Sequence, residues 1–166
     1  MKIIIKPKKI TRKNFKKFGD LISAKKVKPI NINNGYAKRF NNLCRINTSF
    51  KNGSTIMSIF SAKKRKFPMI IKMMEKHPLG SQAFIPMSET TFLVFVAPKG
   101  KRPNTKKIKS FIVPKQTGIN YKPGIWHFPL ISTENINFLV IDRKGMGNNL
   151  TIHNFKNEKI SLKYKK

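Results

Sequence analysis

The sequence predicts an all-β fold, a barrel or a sandwich, with one or two short helices. Short segments rich in β-branched and aromatic residues recur along the chain, and turn signals separate them. The chain has 166 residues, of which 39% are hydrophobic and 13 are Phe, so it is long enough to bury a real core. No internal repeat or glycine-rich phosphate loop stands out. We therefore expect residues 1–166 to form one domain.

The first predicted element is a helix over residues 11–23. Thr11 can cap its amino terminus, and Phe15, Phe18 and Leu21 share one face at helical spacing. After it, the pattern changes to strands separated by turns. The predicted strands lie at residues 45–50, 55–60, 82–87, 91–98, 107–114, 125–131, 136–142 and 150–155.

Three connecting segments complete the pattern. An Asn-Gly pair within residues 51–54 predicts a hairpin turn between the first two strands. Residues 66–77 fit either a second short helix or a strand, since two adjacent methionines make the period ambiguous. The last six residues, SLKYKK, are expected to form a ragged tail, and the basic loop 97–107 is expected to be solvated.

The charge of the chain is unevenly distributed. Residues 77–97 contain no Lys or Arg and a single carboxylate, Glu89, although the chain has 36 basic residues. A gap of this kind in so basic a chain indicates strands buried on both faces, or the interior of a barrel.

The formal net charge of +30 indicates a polyanion partner if it is taken at face value. However, lysines far outnumber the six arginines, and Asn, Ile and Phe are also abundant. AT-rich codons specify these residues, and nucleic-acid surfaces usually rely more on the bidentate Arg side chain. We favour compositional drift, and a basic β-barrel that binds nucleic acid stays open as an alternative.

The cellular location follows from cysteine usage and from apolar runs. Cys44 is the only cysteine, so no intramolecular disulfide can form and a reducing interior is expected. The apolar run at the amino terminus is too short for a signal peptide, and FLVFVAP is too short to span a bilayer. We expect a soluble cytoplasmic protein without a membrane partner.

Two of the three histidines are candidates for chemistry. His77 precedes a predicted strand that begins near Gln82, and His127 follows a Pro-Gly turn. Side chains from two barrel strands can converge in the barrel mouth, where imidazoles can bind a metal ion beside an open position for substrate. The alternative is that each histidine is half-buried and merely hydrogen-bonded. His153 is expected to be structural.

Side chains suited to a small polar anion accompany these histidines. They are Asn33, Asn34, Arg39, Asp142 and Arg143. Arginine can clamp a carboxylate through two parallel hydrogen bonds, and Tyr121 can donate or accept a proton. Each of these residues is also common in turns and in surface ion pairs. No motif of a serine hydrolase or of a helical zinc protease is present.

Several stretches, in order over residues 31–145, resemble the ureidoglycolate lyase family. They are NINNGYAKRF, TIMSIFSA, MEKHPLGSQAFIPM, TFLVFVAP, FIVPKQTGINYKPGIWHFPL and FLVIDRKG. The resemblance implies a cupin-like (RmlC-like) β-barrel or jelly roll, usually a homodimer. It also implies a carbon–nitrogen lyase of allantoin degradation, which converts (S)-ureidoglycolate to glyoxylate and urea.

The resemblance also implies a metal site. PGIWH is similar to the second half-motif of cupins, in which the histidine, here His127, is a metal ligand. His77 and Gln82 fall where the first half-motif places ligands, and nickel is the metal implied for some members. Glu75 and Glu89 flank the first motif without taking the place of the cupin glutamate.

The remaining roles are hypotheses built on that reaction. We expect Arg39 or Arg143 to bind the substrate carboxylate. The histidines would act as bases or ligands, and Tyr121 as the acid. The ureido group would contact Asn33, Asn34 and Gln82, and the substrate-binding set also includes Asp142 and Trp126, the latter mainly as packing.

One residue departs from the family pattern. Ser61 stands where members commonly carry an Arg, so one of the basic residues at 63–65 would have to substitute for it or substrate affinity would suffer. A cupin-like small-ligand binder without catalysis stays open as a third reading, since the fold alone does not fix the chemistry.

Overall fold

The computed structural model describes residues 2–165 and confirms the all-β prediction. Within these residues the strands are β1 (Lys2–Ile5), β2 (Lys8–Lys9), β3 (Gly19–Ile22), β4 (Ile30–Ile32), β5 (Ala37–Arg39), β6 (Ser54–Ala62), β7 (Met69–Ile71), β8 (Met73–Lys76), β9 (Gln82–Pro86), β10 (Phe92–Ala97), β11 (Lys109–Val113), β12 (Gly118–Tyr121), β13 (Trp126–His127), β14 (Ile131–Ser132), β15 (Ile136–Lys144), β16 (Thr151–Asn154) and β17 (Lys159–Leu162). The helices are α1 (Arg12–Phe15) and three 3-10 turns, at Asn33–Gly35, Phe50–Asn52 and Thr105–Lys107.

The strands form three larger sheets and one separate hairpin. The five-stranded sheet has the order β3-β12-β9-β15-β6, and all of its pairs are antiparallel. The seven-stranded sheet has the order β16-β8-β13-β10-β11-β2, with β14 also paired to β10. A three-stranded sheet has the order β1-β17-β7, and β4 pairs with β5 in the hairpin.

Strand β10 shows how the layers pack. Alternate side chains of a strand point to opposite faces. Phe92, Val94 and Val96 enter a core shared with the five-stranded sheet, whereas Leu93, Phe95 and Ala97 enter a second core shared with the three-stranded sheet. All six are at most 2% exposed. The expectation that the Lys-free segment is buried on both faces is confirmed for this strand.

The predicted helix over residues 11–23 is wrong in its second half. Thr11 caps the helix as expected, with the capping-box partner Asn14, but α1 ends at Phe15 and residues 19–22 form β3. A Cβ on Gly19 would lie 2.0 Å from the carbonyl oxygen of Asn120, so only glycine allows β3 to approach β12 this closely. Leu21 reaches the core from a strand as readily as from a helix.

Three further expectations need correction. Residues 45–49 form no strand, because their backbone bonds to side chains and loops: Asn120 Nδ2 donates to Arg45 O over 3.0 Å. Residues 51–54 therefore close no hairpin, and they lead directly into β6. The predicted strand 125–131 is interrupted around Pro129, where the missing N–H stops the ladder, and it becomes β13 and β14.

The carboxyl-terminal segment is not a ragged tail. Ser161 and Leu162 belong to β17, the central strand of the three-stranded sheet, and Leu162 is fully buried. Residue 166 lies outside the described residues. Residues 66–77 contain two strands, β7 and β8, and the other predicted strands are confirmed. Along residues 2–165 there is no helix with the length and apolar character needed to cross a membrane.

Candidate active site

A pair of strands in the seven-stranded sheet brings Glu75 and His127 together. Glu75 of β8 lies opposite His127 of β13 in the antiparallel register. His77 follows two residues after Glu75, and residues two apart along extended backbone point to the same face. Their potential ligand atoms all lie within 4.8 Å of one another. The three side chains form the cluster that we call the triad.

The turn before β13 holds the two histidine segments in place. Ile125 N–H donates to Lys122 O over 3.2 Å, and Gly124 has φ +77°, which glycine adopts without strain. Gly124 N–H also donates to His77 O over 2.8 Å. The Pro-Gly turn into a barrel strand is therefore confirmed, and it ties the backbone beside His127 to that of His77.

Backbone carbonyls set the tautomer of both imidazoles. His77 Nδ1 lies 2.7 Å from Asn149 O, and His127 Nδ1 lies 3.0 Å from Ile125 O. A carbonyl oxygen only accepts, so each Nδ1 must carry the proton and each neutral ring keeps a lone pair on Nε2. Both Nε2 atoms are buried without a hydrogen-bond partner. This is the arrangement in which histidine binds metal ions.

The donor set of the triad fits a divalent cation. His127 Nε2 lies 3.6 Å from Glu75 Oε1, and no donor joins these two acceptors. Ligand atoms about 2.1 Å from a tetrahedral ion lie about 3.4 Å apart, so the Glu75–His127 pair needs little adjustment to share an ion. Two imidazoles and a carboxylate suit Zn, Ni or Fe. The structure thus contains a candidate metal-binding triad.

The charge states of the triad follow from burial and from mutual attraction. Burial alone raises the pKa of Glu75, but the interactions with His127 and His77 outweigh it, so the net pKa lies below its ordinary value. Burial, followed by repulsion from His127, lowers the pKa of His77. Near neutral pH, Glu75 is therefore a carboxylate and His77 a neutral imidazole.

The five-stranded sheet contributes a facing row of side chains. Tyr121 of β12 pairs with Gln82 of β9, and the register of β9 with β15 runs to Ala83 and Ile141, which brings Gln82 beside Asp142. The Tyr121 ring stacks on His127 with centroids 4.4 Å apart and planes 17° apart. Burial, and then the charge of Glu75, raises the pKa of Tyr121 far above its ordinary value.

The space between the two rows is rich in unsatisfied acceptors. Gln82 Oε1 and Asp142 Oδ1 are buried without a hydrogen-bond partner, like the two Nε2 atoms. Native proteins rarely leave buried polar atoms unpaired, and such groups commonly mark a site that a ligand or ion completes. The Glu75 side chain is 20% exposed, so solvent reaches the space on that side. We call this space the cleft.

Trp126 does not lie in the cleft, although it is adjacent to His127. Its ring is 1% exposed in the core between the seven- and three-stranded sheets. The indole Nε1 donates to Gly100 O over 3.1 Å, and the Lys76 ammonium lies 4.6 Å from the ring centroid. The expectation that it is mainly packing is met, and the described contacts bring it to none of the polar cleft residues.

Of the five side chains predicted to bind an anion, Asp142 lies in the cleft, and the other four have no described contact with the triad. Asn33 and Asn34 are exposed turn residues with φ of +52° and +55°, and Arg39 is exposed at the end of β5. Arg143 is buried, and its guanidinium donates to the carbonyls of Phe50, Lys51 and Met146. It fixes loops and faces away from Asp142.

Ser61 lies on the exposed face of β6. Its hydroxyl donates to Asn137 Oδ1 over 2.7 Å. Ser61 and the basic residues Lys63, Lys64 and Arg65 line one open cavity of about 390 Å³. The basic residues that were expected to substitute for the missing arginine therefore lie beside Ser61.

Glu75 is the functional candidate that the sequence reasoning set aside. The signal was its spacing of two from His77, which matters only if the segment is extended, because a helix would point the two side chains in different directions. The sequence of residues 66–77 fitted both the helical period and the strand period. The pairing of β8 with β13 and β16 resolves the ambiguity.

Comparison with known proteins gives a consistent result. A model of the ureidoglycolate lyase family matches residues 2–163. A ureidoglycolate lyase of Pseudomonas paraeruginosa is 41% identical over 152 residues, which cover 91% of this chain and 90% of that protein. Proteins of the same name from Pseudomonas fluorescens strain Pf-5 and Pseudomonas putida are 40% and 39% identical, covering 94% and 96% of this chain and 93% and 95% of their own lengths.

One solved structure also overlaps with this chain. It is WlaRA, a TDP-fucose-3,4-ketoisomerase from Campylobacter jejuni, with a TM-score of 0.39 and 14% identity over 79% of this chain and 86% of that one. An overlap this small carries no argument, and the fold rests on the strand pairings described above.

Proposed function

Because the chain belongs to the ureidoglycolate lyase family, we propose that its cleft cleaves (S)-ureidoglycolate to glyoxylate and urea. The observation that carries this proposal is the triad, with two imidazole lone pairs and a carboxylate converging in a cleft that solvent reaches. Family membership favours this lyase activity over the two alternatives, a nucleic-acid-binding barrel and a ligand binder without catalysis.

The reaction is an elimination at a carbinolamide carbon. That carbon bears a hydroxyl group, a carboxylate and a ureido nitrogen. A base removes the hydroxyl proton, the C–O bond becomes a carbonyl, and the electron pair of the breaking C–N bond leaves with the nitrogen. A proton delivered to this nitrogen completes urea, and the remaining fragment is glyoxylate. Negative charge on the carboxylate and the developing alkoxide requires nearby positive charge.

We assign Glu75, His77 and His127 as the residues that hold a divalent cation, and family resemblance suggests nickel. When bound, the cation would supply Lewis-acid polarisation of a substrate oxygen. The carbonyls of Asn149 and Ile125 support this assignment, because they keep both Nδ1 atoms protonated and both Nε2 atoms available. Gln82, whose Oε1 is unpaired in the cleft, stays a candidate for a further ligand or for the ureido group.

We assign proton transfer to Asp142 when the triad holds a cation. Its unpaired Oδ1 faces the cleft near His77, and a carboxylate there can take the hydroxyl proton and return it to the departing nitrogen. In a protein without the cation, the His127–Glu75 pair would take this role. Tyr121 is a poor proton donor because burial raises its pKa, so we assign it to holding the His127 ring by stacking.

We also propose that residues 1–166 form one domain and that the enzyme is a cytoplasmic homodimer, as the family resemblance suggests. The reaction itself is tested with purified protein and each enantiomer of ureidoglycolate, following glyoxylate and urea separately. We expect equal amounts of both products from the S enantiomer, loss of turnover after chelation, and recovery with a divalent metal such as nickel. The absence of glyoxylate under every metal condition would defeat the proposal.

A further inference from the structure

Residues 24–47, which we call the arm, contribute nothing to either core. None of these residues is buried, although ten of the 24 are apolar. Tyr36 is 94% exposed and Ile30 is 47% exposed. The other apolar residues of the arm, apart from Ala24, are only half-buried. Apolar surface that stays this accessible on one segment usually marks an interaction site.

The arm also lacks a partner sheet. Strands β4 and β5 pair only with each other within the described chain. An isolated two-stranded hairpin is at best marginally stable in water, and it needs a further strand or a packed surface. The arm therefore requires a surface on which to dock.

The base of the arm and the cleft of the same chain lie on opposite faces of the five-stranded sheet. Arg45, at the base of the arm, accepts through its carbonyl a hydrogen bond from Asn120 Nδ2. Asn120 and Tyr121 are neighbours on β12 and point to opposite faces, and Tyr121 faces the cleft. The five-stranded sheet thus lies between the base of the arm and the triad.

The arm and the cleft are complementary in charge. The arm contains six basic residues and no acidic residue: Lys25, Lys26, Lys28, Lys38, Arg39 and Arg45. The cleft holds Glu75 and Asp142, two of the six carboxylates in the chain, before a cation binds, and the carboxylate of the proposed substrate adds negative charge once the cation is bound. The nearest arginine along the chain, Arg143, donates from Nε and Nη2 to three backbone carbonyls, and only its Nη1 is left without a partner.

The edge of the five-stranded sheet offers a landing site next to the cleft. β6 is the edge strand beside β15, which carries Asp142, and its outer face exposes Met57 (71%) and Ile59 (59%). An unpaired edge with apolar side chains is a template for strand addition from another chain. Its nine residues can accommodate either strand of the hairpin.

We propose that two copies of this chain form a two-fold dimer in which each arm crosses to the partner and completes the partner's active site with Arg39. Each chain carries both the arm and the cleft, and its own five-stranded sheet lies between the cleft and the base of the arm. In an isologous dimer each arm can meet the cleft of the partner, so both contacts form at once. Arg39 would bind the substrate carboxylate through its planar guanidinium. The role of Arg39 rests on the proposed lyase function, whereas the crossing of the arm does not.

Complementation between two inactive variants tests the shared site. Arg39→Ala keeps its cleft and loses its arm cation, and His127→Ala keeps its arm and loses its triad. We expect each variant alone to lose activity at least about 100-fold, since both act at the charged centre of the reaction. Co-refolded in equal amounts, they should recover about a quarter of wild-type turnover, because half of the dimers are mixed and each mixed dimer has one complete site.

The control variants show whether Arg39 acts in the partner's site, in its own subunit or not at all. Lys38→Ala, the neighbour of Arg39 on β5, should retain turnover. Inactive single variants without recovery on mixing would mean that Arg39 acts in its own subunit, and a fully active Arg39→Ala variant would mean that Arg39 is not needed. Either result overturns the shared site.

The crossing of the arm can be tested even if the chain shows no lyase activity. Cys44 is the only cysteine and lies in the arm, so a photoactivatable maleimide places one cross-linker there without mutation. In mixtures of ¹⁵N-labelled and unlabelled protein, we expect cross-links that join labelled to unlabelled peptides, including residues 54–62. Cross-links confined within single chains would overturn the proposal.

The salt dependence of binding shows whether the arm binds a second copy of this chain or a nucleic acid. Salt screens both the repulsion between two chains of charge +30 and the attraction between arm and cleft. A dimer that also rests on the apolar edge of β6 should therefore persist on sedimentation at about 0.5 M salt, where screening acts beyond about 4 Å. Nucleic-acid binding would weaken steeply as salt rises to that concentration. A protein that stays monomeric at high salt would contradict the proposed dimer.

Discussion

Trp126 and His127 are adjacent on β13 but belong to different regions of the molecule. The Trp126 side chain lies in the apolar layer between the seven- and three-stranded sheets, with Met74 and Phe95. The His127 side chain points the other way, toward Glu75 and Tyr121. Strand alternation alone separates a stabilising layer from a reactive cleft.

The two regions also differ in how completely their polar atoms are satisfied. In the apolar layer, the indole N–H of Trp126 finds the carbonyl of Gly100. In the cleft, four side chains keep buried acceptors without partners: His77, His127, Gln82 and Asp142. Buried acceptors without donors are costly, so this region is shaped for a ligand and not for stability.

Replacing a triad histidine should produce the largest change in turnover. His77→Ala removes one Nε2 from the triad, and we expect turnover to fall about 1,000-fold because a group in contact with the reaction is lost. The matched control is His153→Ala, since His153 packs against Phe155 and the Trp126 ring, away from the cleft. Equal loss in both variants would mean that the cleft has no special role.

Replacing the neighbouring tryptophan should instead affect stability. Trp126→Ala leaves a large cavity in a dry layer, and the free energy of unfolding should fall by about 3–5 kcal/mol. Urea unfolding followed by circular dichroism measures this change. The folded fraction should still bind metal at the triad, and a Trp126→Ala protein as stable as wild type would contradict the layer assignment.

The pH dependence of His77 provides a third comparison. Burial lowers the pKa of His77, so the metal-free folded chain binds fewer protons there than the unfolded chain does. Stability should therefore be complete above pH 6.5 and decrease as the pH falls from 6.5 toward the folded pKa. Proton NMR of the imidazole measures the pKa directly.

The Glu75→Gln variant sharpens this test. The Glu75 charge favours protonated His77, so its removal should lower the pKa of His77 further. An unchanged or higher value in the variant would show that the two groups are not coupled as the geometry indicates.

The smallest effect is expected at Tyr121. Tyr121→Phe keeps the ring that stacks on His127 and removes only a hydroxyl whose pKa is raised by burial. Turnover should stay within several-fold of wild type, whereas loss of a true proton donor typically costs about 100-fold or more. Steady-state kinetics of Tyr121→Phe and Tyr121→Ala together separate the ring from the hydroxyl.

Many of the strands could be predicted from the sequence, because buried strands have a simple pattern of apolar residues. β9, β10, β11 and β15 were predicted from their β-branched and aromatic content, and the burial of both faces of β10 from its lack of lysine. β3 could not be predicted, because its residues also fit a helical face and only the close approach to β12 decides between them.

The site was predictable in part. The His77 and His127 candidates and their turn were visible in the sequence, and their convergence follows from the pairing of β8 with β13. Glu75 was missed because the sequence of its segment fitted a helix as well as a strand. The positions of Arg39 and Arg143 depend on long-range contacts of an arm and of loops, which no local pattern encodes.

The most direct test of the central claim, that the cleft face of β13 carries the chemistry, is the turnover of His127→Ala with (S)-ureidoglycolate. A His127→Gln variant, which retains more of the side-chain volume, guards against a folding defect. We predict that both variants unfold near the wild-type urea midpoint and release glyoxylate about 1,000-fold more slowly. Turnover close to that of wild type in a folded variant would contradict the claim.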